Sequence, residues 1–439
     1  MNERLCRGLL LICGMAGIAA ATYLGASDLR GQGALGCCAV ILLFWFLGAM
    51  LLLRKPLFRK PEHTICAVLG LYMCLFLRLS LFDYVSPDYV SFLGPWSETM
   101  RGMTVRQALI TPIGDYNMPY LYLLLILSRL PVYDLYGIKL ISVLSDVFLA
   151  LVLGRLAAET AKREGMVLLA FFGGLLAPTI LLNSAYWGQC DGIYACFSLW
   201  GLYYGLKKRP AWSMVFFALA FSFKLQAVFI LPVIAFLLGK EKLRLRDLIW
   251  FPAAFLAVML PALLAGRSVP STFGIYLNQT NSYPYLSLNA PSMWSLIPND
   301  YFFRMDEASV LLAGIVTLLL LYVFLRRCGA MKDRDLIAVS LIFALGIPWL
   351  LPRMHERYFY LAECLSVLYL VRYPRRIGIP VVILGGGFLA YCSYLFGGMR
   401  ILTNELVAAA YGLTLLYLIV KLLRETDARM TKKEVKAHE

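Results

Sequence analysis

Residues 134–156 read DLYGIKLISVLSDVFLALVLGRL, and this stretch decides the class of fold. It is as long as the roughly 20 apolar residues that a helix needs to cross a bilayer. Lys139 and Asp146 lie inside it, and Arg155 opens a basic cluster at its end. Because Lys139 and Asp146 are seven residues apart on one predicted helix, we interpret them as an internal charge contact.

Apolar runs of this kind recur along the whole chain of 439 residues. Hydrophobic residue types make up 61% of the sequence and charged types 15%, against about 45–50% and about 25% in soluble domains. A soluble fold cannot bury so much apolar surface, whereas a bilayer can. The sequence therefore predicts an all-α polytopic transmembrane helical bundle of about 14 spans. The predicted runs cover residues 6–26, 34–53, 65–82, 134–156, 166–183, 191–206, 211–223, 226–239, 247–265, 307–326, 335–350, 357–372, 377–395 and 403–422.

The basic residues indicate how the chain is oriented. The formal net charge is +15, but Lys and Arg stand in short clusters between apolar runs rather than in one stripe. The clusters fall on alternate connecting segments, which is the positive-inside pattern of a membrane protein rather than a nucleic-acid surface. This pattern predicts cytoplasmic N- and C-termini. A span at residues 118–132 would reverse every later cluster, so we expect an interfacial helix there.

The runs divide the chain into four parts. Residues 1–60 are predicted to form an N-terminal transmembrane hairpin extension, and residues 61–400 the main membrane domain. Residues 401–424 are the last predicted span, and residues 425–439 are a polar cytoplasmic tail that we expect to fray. The first apolar run resembles a signal peptide, but the many further spans favour an uncleaved helix.

Two long segments are predicted on the outer side of the membrane, at residues 83–131 and residues 266–304. The second contains NQTNSYPYLSLNAPSMWSL and shows neither helical nor strand periodicity, so we expect a structured loop. Charged groups near hydrocarbon cost several kcal/mol by some scales, so polar residues at this edge are informative. Those in short outer turns are Asp88, Asp115, Gln189, Asp191, Lys224, Gln226, Asn289, Arg353, His355, Glu356 and Arg357.

We expect these residues to form one site, because their segments reach the same side of the membrane. Carboxylates can act as a general base toward a hydroxyl, and Lys, Arg and His can hold a phosphate as it leaves. This combination suits transfer of a group from a phosphate-linked donor to an alcohol. A nucleotide stays in the cytoplasm, so a lipid-linked phosphate sugar fits the outer location. No metal-ligand spacing is evident in the sequence, and no cofactor is expected.

Each candidate residue also has a structural interpretation. Asp88 can simply solvate a loop, and Asp115 can form an Asx-type turn. Lys224 can be a counter-ion for Asp191, and Gln189 can cap the helix that follows it.

The motifs around these residues resemble the GT-C membrane glycosyltransferases. The likeness is to bacterial relatives of the GPI mannosyltransferase II (PIG-V) type and, more distantly, to dolichyl-phosphate-glucose-dependent glucosyltransferases. It covers about residues 65–400, with the motifs in the family's order. The matching stretches are DYVSFLGPW from Asp88, DYNMPYLYLL from Asp115, IKLISVLSD through Lys139, YWGQCDGIY around Asp191, FKLQAVFILP from Lys224, LNAPSMW at Asn289 and MHERYFY at His355.

This resemblance implies a GT-C-like catalytic domain, a polyprenyl-phosphate sugar donor and an inverting transfer. It implies a catalytic acid at Asp88, which takes the proton of the acceptor hydroxyl. Donor-phosphate contacts are implied at Lys224, His355 and Arg357, with Arg353 beside them in the same motif. The other polar residues become supporting or acceptor-binding groups. A hexose, mannose or glucose, is expected to pass to a lipid-linked or cell-envelope glycan at a bacterial plasma membrane.

Two other classes of protein compete with this interpretation. A flippase for lipid-linked sugars predicts polar residues at mid-span and repeat-related broken helices, of which Gly385–Gly387 is an isolated candidate. A membrane scaffold needs no outer carboxylate beside cations, and His355 would then be an ordinary interfacial histidine. The expected partners are the lipid-linked donor, the acceptor and membrane lipids, with no nucleic acid.

Overall fold

The computed structural model describes residue 8 and residues 45–52, 57–279 and 283–438. Regular structure in these ranges is helical except for two strands of two residues each, β1 (Ser287–Leu288) and β2 (Met354–His355). The prediction of an all-α polytopic bundle is confirmed. The α-helices are α1 (Pro61–Leu79), α2 (Gly94–Arg101), α3 (Val105–Ile110), α4 (Met118–Leu127), α5 (Asp134–Ala158), α6 (Glu164–Leu176), α7 (Pro178–Leu181), α8 (Asp191–Leu206), α9 (Pro210–Phe223), α10 (Pro232–Gly239), α11 (Trp250–Ala265), α12 (Val269–Asn278), α13 (Phe302–Arg326), α14 (Leu336–Leu350), α15 (Tyr360–Arg372), α16 (Gly378–Leu395) and α17 (Asn404–His438).

Seven helical segments of the described chain are long and apolar enough to cross a membrane. The chain is therefore a multi-pass membrane protein. Further apolar helices are too short to cross alone, among them α4, α9 and the segment Leu225–Gly239 that ends in α10. Of the first predicted run, residues 6–26, only residue 8 is described, and of residues 34–53 only residues 45–52 are described. The seven long segments are Pro61–Leu79, Asp134–Ala158, Glu164–Trp187, Leu245–Ala265, Asn299–Arg326, Gly378–Leu395 and Asn404–Thr431.

The apolar stretch after Asn117 forms α4, a helix of 10 residues. At 1.5 Å per residue it rises about 15 Å, roughly half the hydrocarbon core, so it does not span. Seven of its residues are buried, among them Tyr120 and Leu124. The helix therefore packs inside the protein on most of its surface, and the expectation that residues 118–132 do not form a span is confirmed.

Two local expectations are wrong. The second outer segment is not a loop throughout, because residues 269–278 form α12 before the loop begins. The polar tail does not fray after residue 424, because α17 continues to His438. Ion pairs fasten this extension: Glu425 pairs with Arg376 at 2.5 Å, and Asp427 pairs with Arg327 at 2.8 Å. Because these ion pairs hold the charged end of α17 against neighbouring residues, they offset part of the conformational entropy lost when it orders as a helix.

The helices fall into two compact units. The first comprises the described residues of Met1–Leu199 together with Ser222–Lys224 and Phe255–Tyr276. The second comprises Trp200–Phe221, Leu225–Ala254 and the described residues of Leu277–Glu439.

The core of the first unit is the pair α5 and α6. A Cβ atom added at Gly174 would lie 2.8 Å from Cα of Ala150, so glycine is what lets the two backbones approach. The expected contact between Lys139 and Asp146 is wrong. Asp146 instead pairs with Arg78 of α1 at 2.9 Å, and both side chains are fully buried.

The second unit packs α14, α15, α16 and α17 against one another. Tyr411 of α17 is fully buried, donates to the carbonyl of Ile383 at 2.7 Å and contacts the ring of Phe359. Trp349 of α14 donates to the carbonyl of Ala408 at 2.9 Å. These hydrogen bonds satisfy the polar edges of large aromatic side chains inside an apolar bundle.

Candidate active site

A break in the span Glu164–Trp187 builds the centre of the site. The α-helix stops at Ala177 before Pro178, and the chain resumes in α7 and then in a π-helix, Leu182–Trp187. Proline cannot continue the hydrogen bonding of the preceding turn, which explains the break. Gly188 then turns the chain with φ of 82°, a value that favours glycine. Single π-turns are frequent at functional sites because they redirect side chains.

The redirected side chains bind Asp88. The indole Nε1 of Trp187 donates to Asp88 Oδ2 at 3.1 Å, and Gln189 Nε2 donates a short hydrogen bond to the same oxygen. Ser86 Oγ donates to the carbonyl of Trp187 at 2.9 Å, which ties the segment before Asp88 to the π-helix. The carboxylate is half-buried and is oriented by two donors that do not titrate.

Gln189 extends this network to a third segment. Its Oε1 accepts a hydrogen bond of 2.9 Å from the hydroxyl of Tyr116, which lies just before α4. The residue is 1% exposed. Both polar atoms of its side-chain amide are therefore hydrogen-bonded to other side chains. Neither of these hydrogen bonds caps the helix that follows. Asp115, the neighbour of Tyr116, is exposed.

Asp191 and Lys224 form a second group in the same unit. Lys224 Nζ lies 2.5 Å from Asp191 Oδ1, with side-chain exposures of 10% and 0%. Asn183 Nδ2 donates to Asp191 Oδ2 at 2.9 Å, and the Asn183 carbonyl accepts from the backbone N–H of Gln189 at 2.8 Å. The counter-ion interpretation of Lys224 is thus what the geometry shows. The two groups adjoin, because Lys224 Nζ is 5.9 Å from the ring centroid of Tyr116.

Lys139 supports the segment that leads to Asp88. Its ammonium donates to the carbonyls of Leu81, Phe82 and Tyr84 at 3.0, 2.8 and 2.8 Å. These carbonyls follow the end of α1, where backbone acceptors lack helical partners. A buried lysine thereby fixes the chain four to seven residues before Asp88.

Tyr89 follows Asp88 directly and begins a second π-helix, Tyr89–Leu93. Burial raises the pKa of Tyr89 to about 12, and the nearby Tyr133 and Asp134 act in the same direction. The phenol therefore stays neutral at physiological pH. On this segment the carboxylate of Asp88 is the better proton acceptor.

The remaining predicted residues belong to the second unit. His355 of β2 pairs in parallel with Leu288 of β1 and contacts the rings of Tyr283 and Tyr358 at 5.5 and 5.2 Å. Asn289 has φ of 61°, and its Oδ1 accepts from Ser393 at 3.0 Å. This geometry makes Asn289 a residue that holds the loop of β1 in place.

Arg353 has φ of 64° and binds both carboxylate oxygens of Asp306, with Nε at 3.0 Å from Oδ1. This bidentate pair anchors the turn before β2, so Arg353 is less suited to a donor phosphate than expected. Arg357 lies 3.6 Å from the buried Glu356. Gln226, on the turn Leu225–Ile230, has a buried Oε1 without a hydrogen-bond partner among the described residues.

The structure thus brings Asp88, Gln189, Asp191 and Lys224 together within the first unit. The convergence of all eleven predicted residues on one site stays a prediction. Sequence reasoning missed Tyr116, Trp187 and Asn183 as members of the network. The first two stand inside the quoted motifs DYNMPY and YWGQCDG.

Among the described residues, no group of three or more His, Cys, Asp and Glu side chains is arranged to hold a metal ion. The site as described offers a carboxylate with fixed orientation, a buried ion pair and aromatic walls. This arrangement can accept a proton from a hydroxyl.

In a comparison with protein families, the sequence model of glycosyltransferase family 87 matches residues 116–371. The matched range begins at Tyr116 and includes Gln189, Asp191, Lys224 and His355, whereas Asp88 precedes it. A comparison with curated proteins found no match.

Proposed function

Because the chain belongs to glycosyltransferase family 87, a GT-C-like family of membrane enzymes, we propose that it transfers a hexose from a polyprenyl-phosphate donor. The acceptor is a lipid-linked or cell-envelope glycan on the extracytoplasmic face of a bacterial plasma membrane. Mannose and glucose are the sugars that the resemblance favours, and a place in the PIG-V-type branch stays a prediction from the sequence motifs. The observation that carries the proposal is the orientation of Asp88 by Trp187 and Gln189.

In the proposed reaction the acceptor hydroxyl oxygen attacks the anomeric carbon of the donor sugar. The new C–O bond forms as the bond to the phosphate oxygen breaks, and the phosphate leaves with the electron pair. Asp88 takes the proton of the hydroxyl. Because the hydroxyl attacks from the face opposite the leaving phosphate, this single displacement inverts the anomeric configuration. A general base of this kind contributes roughly 10²- to 10⁴-fold to the rate.

The leaving phosphate needs positive charge, which cations supply as it develops. Lys224 is the candidate in the first unit, although its pairing with Asp191 means that a phosphate has to compete with a carboxylate. Roles for His355 and Arg357 at the donor stay predictions from the family resemblance. Asp115, Gln226, Asn289 and Glu356 stay predicted supporting groups, and Asn289 acts through the loop it holds.

The extracytoplasmic location is supported by the alternate basic clusters of the sequence, which also predict cytoplasmic termini. A lipid-linked donor suits a multi-pass membrane enzyme, because spans such as Asn299–Arg326 are only 17% buried inside the protein over their apolar window.

A donor panel tests the proposal. The purified full chain is given polyprenyl-phosphate mannose, polyprenyl-phosphate glucose and the corresponding nucleotide sugars, each with a membrane glycan extract as acceptor. We expect labelled product from a polyprenyl-phosphate donor and none from a nucleotide sugar. Product from a nucleotide sugar alone would contradict the proposed donor class.

A further inference from the structure

A buried cation at the end of α11 has no carboxylate partner among the described residues. Arg267 is 5% exposed and lies two residues beyond the span Leu245–Ala265. Its Nη1 donates to the carbonyls of Thr111 and Leu109 at 3.0 and 3.4 Å, while its Nε is buried without a hydrogen-bond partner in the described chain. Burial lowers the pKa of this guanidinium, as expected for a charge removed from water.

A second arginine lies beside it. Arg106 of α3 is exposed, and its Nε donates to the carbonyl of Ala265 at 3.2 Å. Its Nη2 would be 4.0 Å from a Cβ atom at Gly266, the residue directly before Arg267. The Arg106 side chain makes no other hydrogen bond or ion pair with the described residues. Two arginine side chains without a carboxylate partner among the described residues therefore lie at the C-terminal end of α11.

The adjacent start of α12 adds further groups that favour an anion. Ser271 has a buried Oγ without a partner among the described residues, and its carbonyl is 3.5 Å from Nη2 of Arg267. Ser268 caps the helix by accepting from the Ser271 N–H at 3.3 Å. The first turn of a ten-residue helix carries the positive end of its dipole. The Arg267 guanidinium and the Ser271 hydroxyl are groups of the kind that bind phosphate oxygens.

A lipid can reach this place through the exposed side chain of Arg106 and along the apolar span that precedes Arg267. Only 11% of the apolar window of Leu245–Ala265 is buried inside the protein, so this span faces lipid along its length. A ligand that meets Arg106 and Arg267 at its end can keep its tail against the span. A water-soluble phosphate would gain nothing from this apolar wall.

We propose that Arg106, Arg267 and Ser271 bind the phosphate headgroup of a membrane lipid whose tail lies along α11. The proposal does not depend on the glycosyltransfer reaction. The lipid is either an ordinary anionic phospholipid or an isoprenoid phosphate, because both present the same phosphate chemistry.

The segment from Thr111 to Tyr116 connects the proposed lipid site with the candidate active site around Asp88. Arg267 holds the carbonyl of Thr111, and Tyr116 binds Gln189, which binds Asp88. Tyr116 is the fifth residue after Thr111, so their Cα atoms are at most about 18 Å apart. A bound phosphate that stiffens Arg267 therefore also restrains the segment that ends at Tyr116.

Lipid binding to the detergent-purified full chain tests the proposal. The probes are farnesyl phosphate against farnesol, and dioctanoyl phosphatidate against dioctanoylglycerol, with Kd measured by thermophoresis. The variants are Arg106→Gln, Ser271→Ala and Arg267→Gln. The first two change exposed or half-buried side chains and keep the test valid if Arg267→Gln does not fold. Arg304→Gln, at an exposed arginine on α13, is the matched control.

We expect at least one phosphate-bearing lipid to bind about 10-fold or more tightly than its phosphate-free partner. Arg106→Gln should weaken that binding by about 10-fold, and Arg304→Gln should leave it unchanged. Binding of farnesyl phosphate alone identifies an isoprenoid ligand, and binding of phosphatidate identifies a phospholipid. Equal Kd values for wild type, Arg106→Gln and Ser271→Ala would overturn the proposal, and the glycosyltransferase function would be unaffected.

Discussion

The ion pair between Lys224 and Asp191 allows a test that distinguishes a structural role of Lys224 from a donor-binding role. The perturbation is Lys224→Met, which keeps the length of the side chain and removes its charge. Asp191 is completely buried and would keep a hydrogen bond from Asn183 but lose its cation. Lys224 itself is 10% exposed in its side chain, so little solvent screens the pair.

The size of the effect follows from the geometry. At 2.5 Å and an effective dielectric constant of about 20, the attraction is roughly 7 kcal/mol. Desolvation of the two charges offsets a large part of it. Removing one partner of a buried pair typically costs about 3–5 kcal/mol, because the other charge stays buried and unpaired. We therefore expect Lys224→Met to lower the free energy of unfolding by that amount.

A double-mutant cycle with Asp191→Asn supplies the assay. The free energy of unfolding is measured in mixed micelles for the wild type, both single variants and the double variant. We expect the double variant to recover about 2 kcal/mol or more relative to the sum of the single losses. Strictly additive losses would refute the pairing. Donor KM measured on the stable double variant then isolates any phosphate role, since the buried charge has been removed.

Three further predictions concern neighbouring contacts. Gln189→Leu should lower kcat about 100-fold with donor KM unchanged, because the substitution removes a hydrogen bond that orients Asp88 and leaves the donor contacts in place. A change in KM alone in steady-state kinetics would contradict this. Arg78→Met should lower the free energy of unfolding in micelles by about 3–5 kcal/mol, and Arg78→Met combined with Asp146→Asn by much less, whereas a double-variant loss equal to the sum of the single losses would show that the two charges are independent. Glu425→Gln should cost no more than about 1 kcal/mol, because its ion pairs are partly exposed, and a larger fall in thermal stability would mean that the C-terminal part of α17 is critical.

The class of fold was predictable because it depends on composition. Apolar runs indicate which segments lie in the bilayer, and in the part of the chain that the structure describes the long helices occur where those runs were expected. Breaks inside the runs were harder to place. Ala177 and Pro178 interrupt an apolar run that is continuous in the sequence. No periodicity of the sequence marks the π-helix Leu182–Trp187 that follows.

Partners of the buried charges could not be predicted from spacing. Lys139 and Asp146 share a helix, but each finds its partner on a segment more than 50 residues earlier in the chain. Arg78 stands at the end of an apolar run, where it reads as a flanking charge. The helix α12 was missed because Pro270, Ser271 and Thr272 in its first turn hide its periodicity.

The candidate site was predictable in part. Asp88, Gln189 and Lys224 were recognisable as polar residues at an apolar edge, and the first unit does gather them. Tyr116 and Trp187 read as members of an aromatic belt, since a sequence does not show which ring carries a hydrogen bond to a carboxylate.

The central claim is that Asp88 accepts the proton of the acceptor hydroxyl. Its most direct test is sugar transfer by Asp88→Asn, which keeps the shape and removes the base, beside Glu98→Gln, which changes an exposed carboxylate of the same outer segment. We expect Asp88→Asn to lose about 10²-fold or more in kcat while donor binding and membrane insertion match those of the wild type, and Glu98→Gln to stay fully active. Transfer by Asp88→Asn at the wild-type rate would contradict the mechanism.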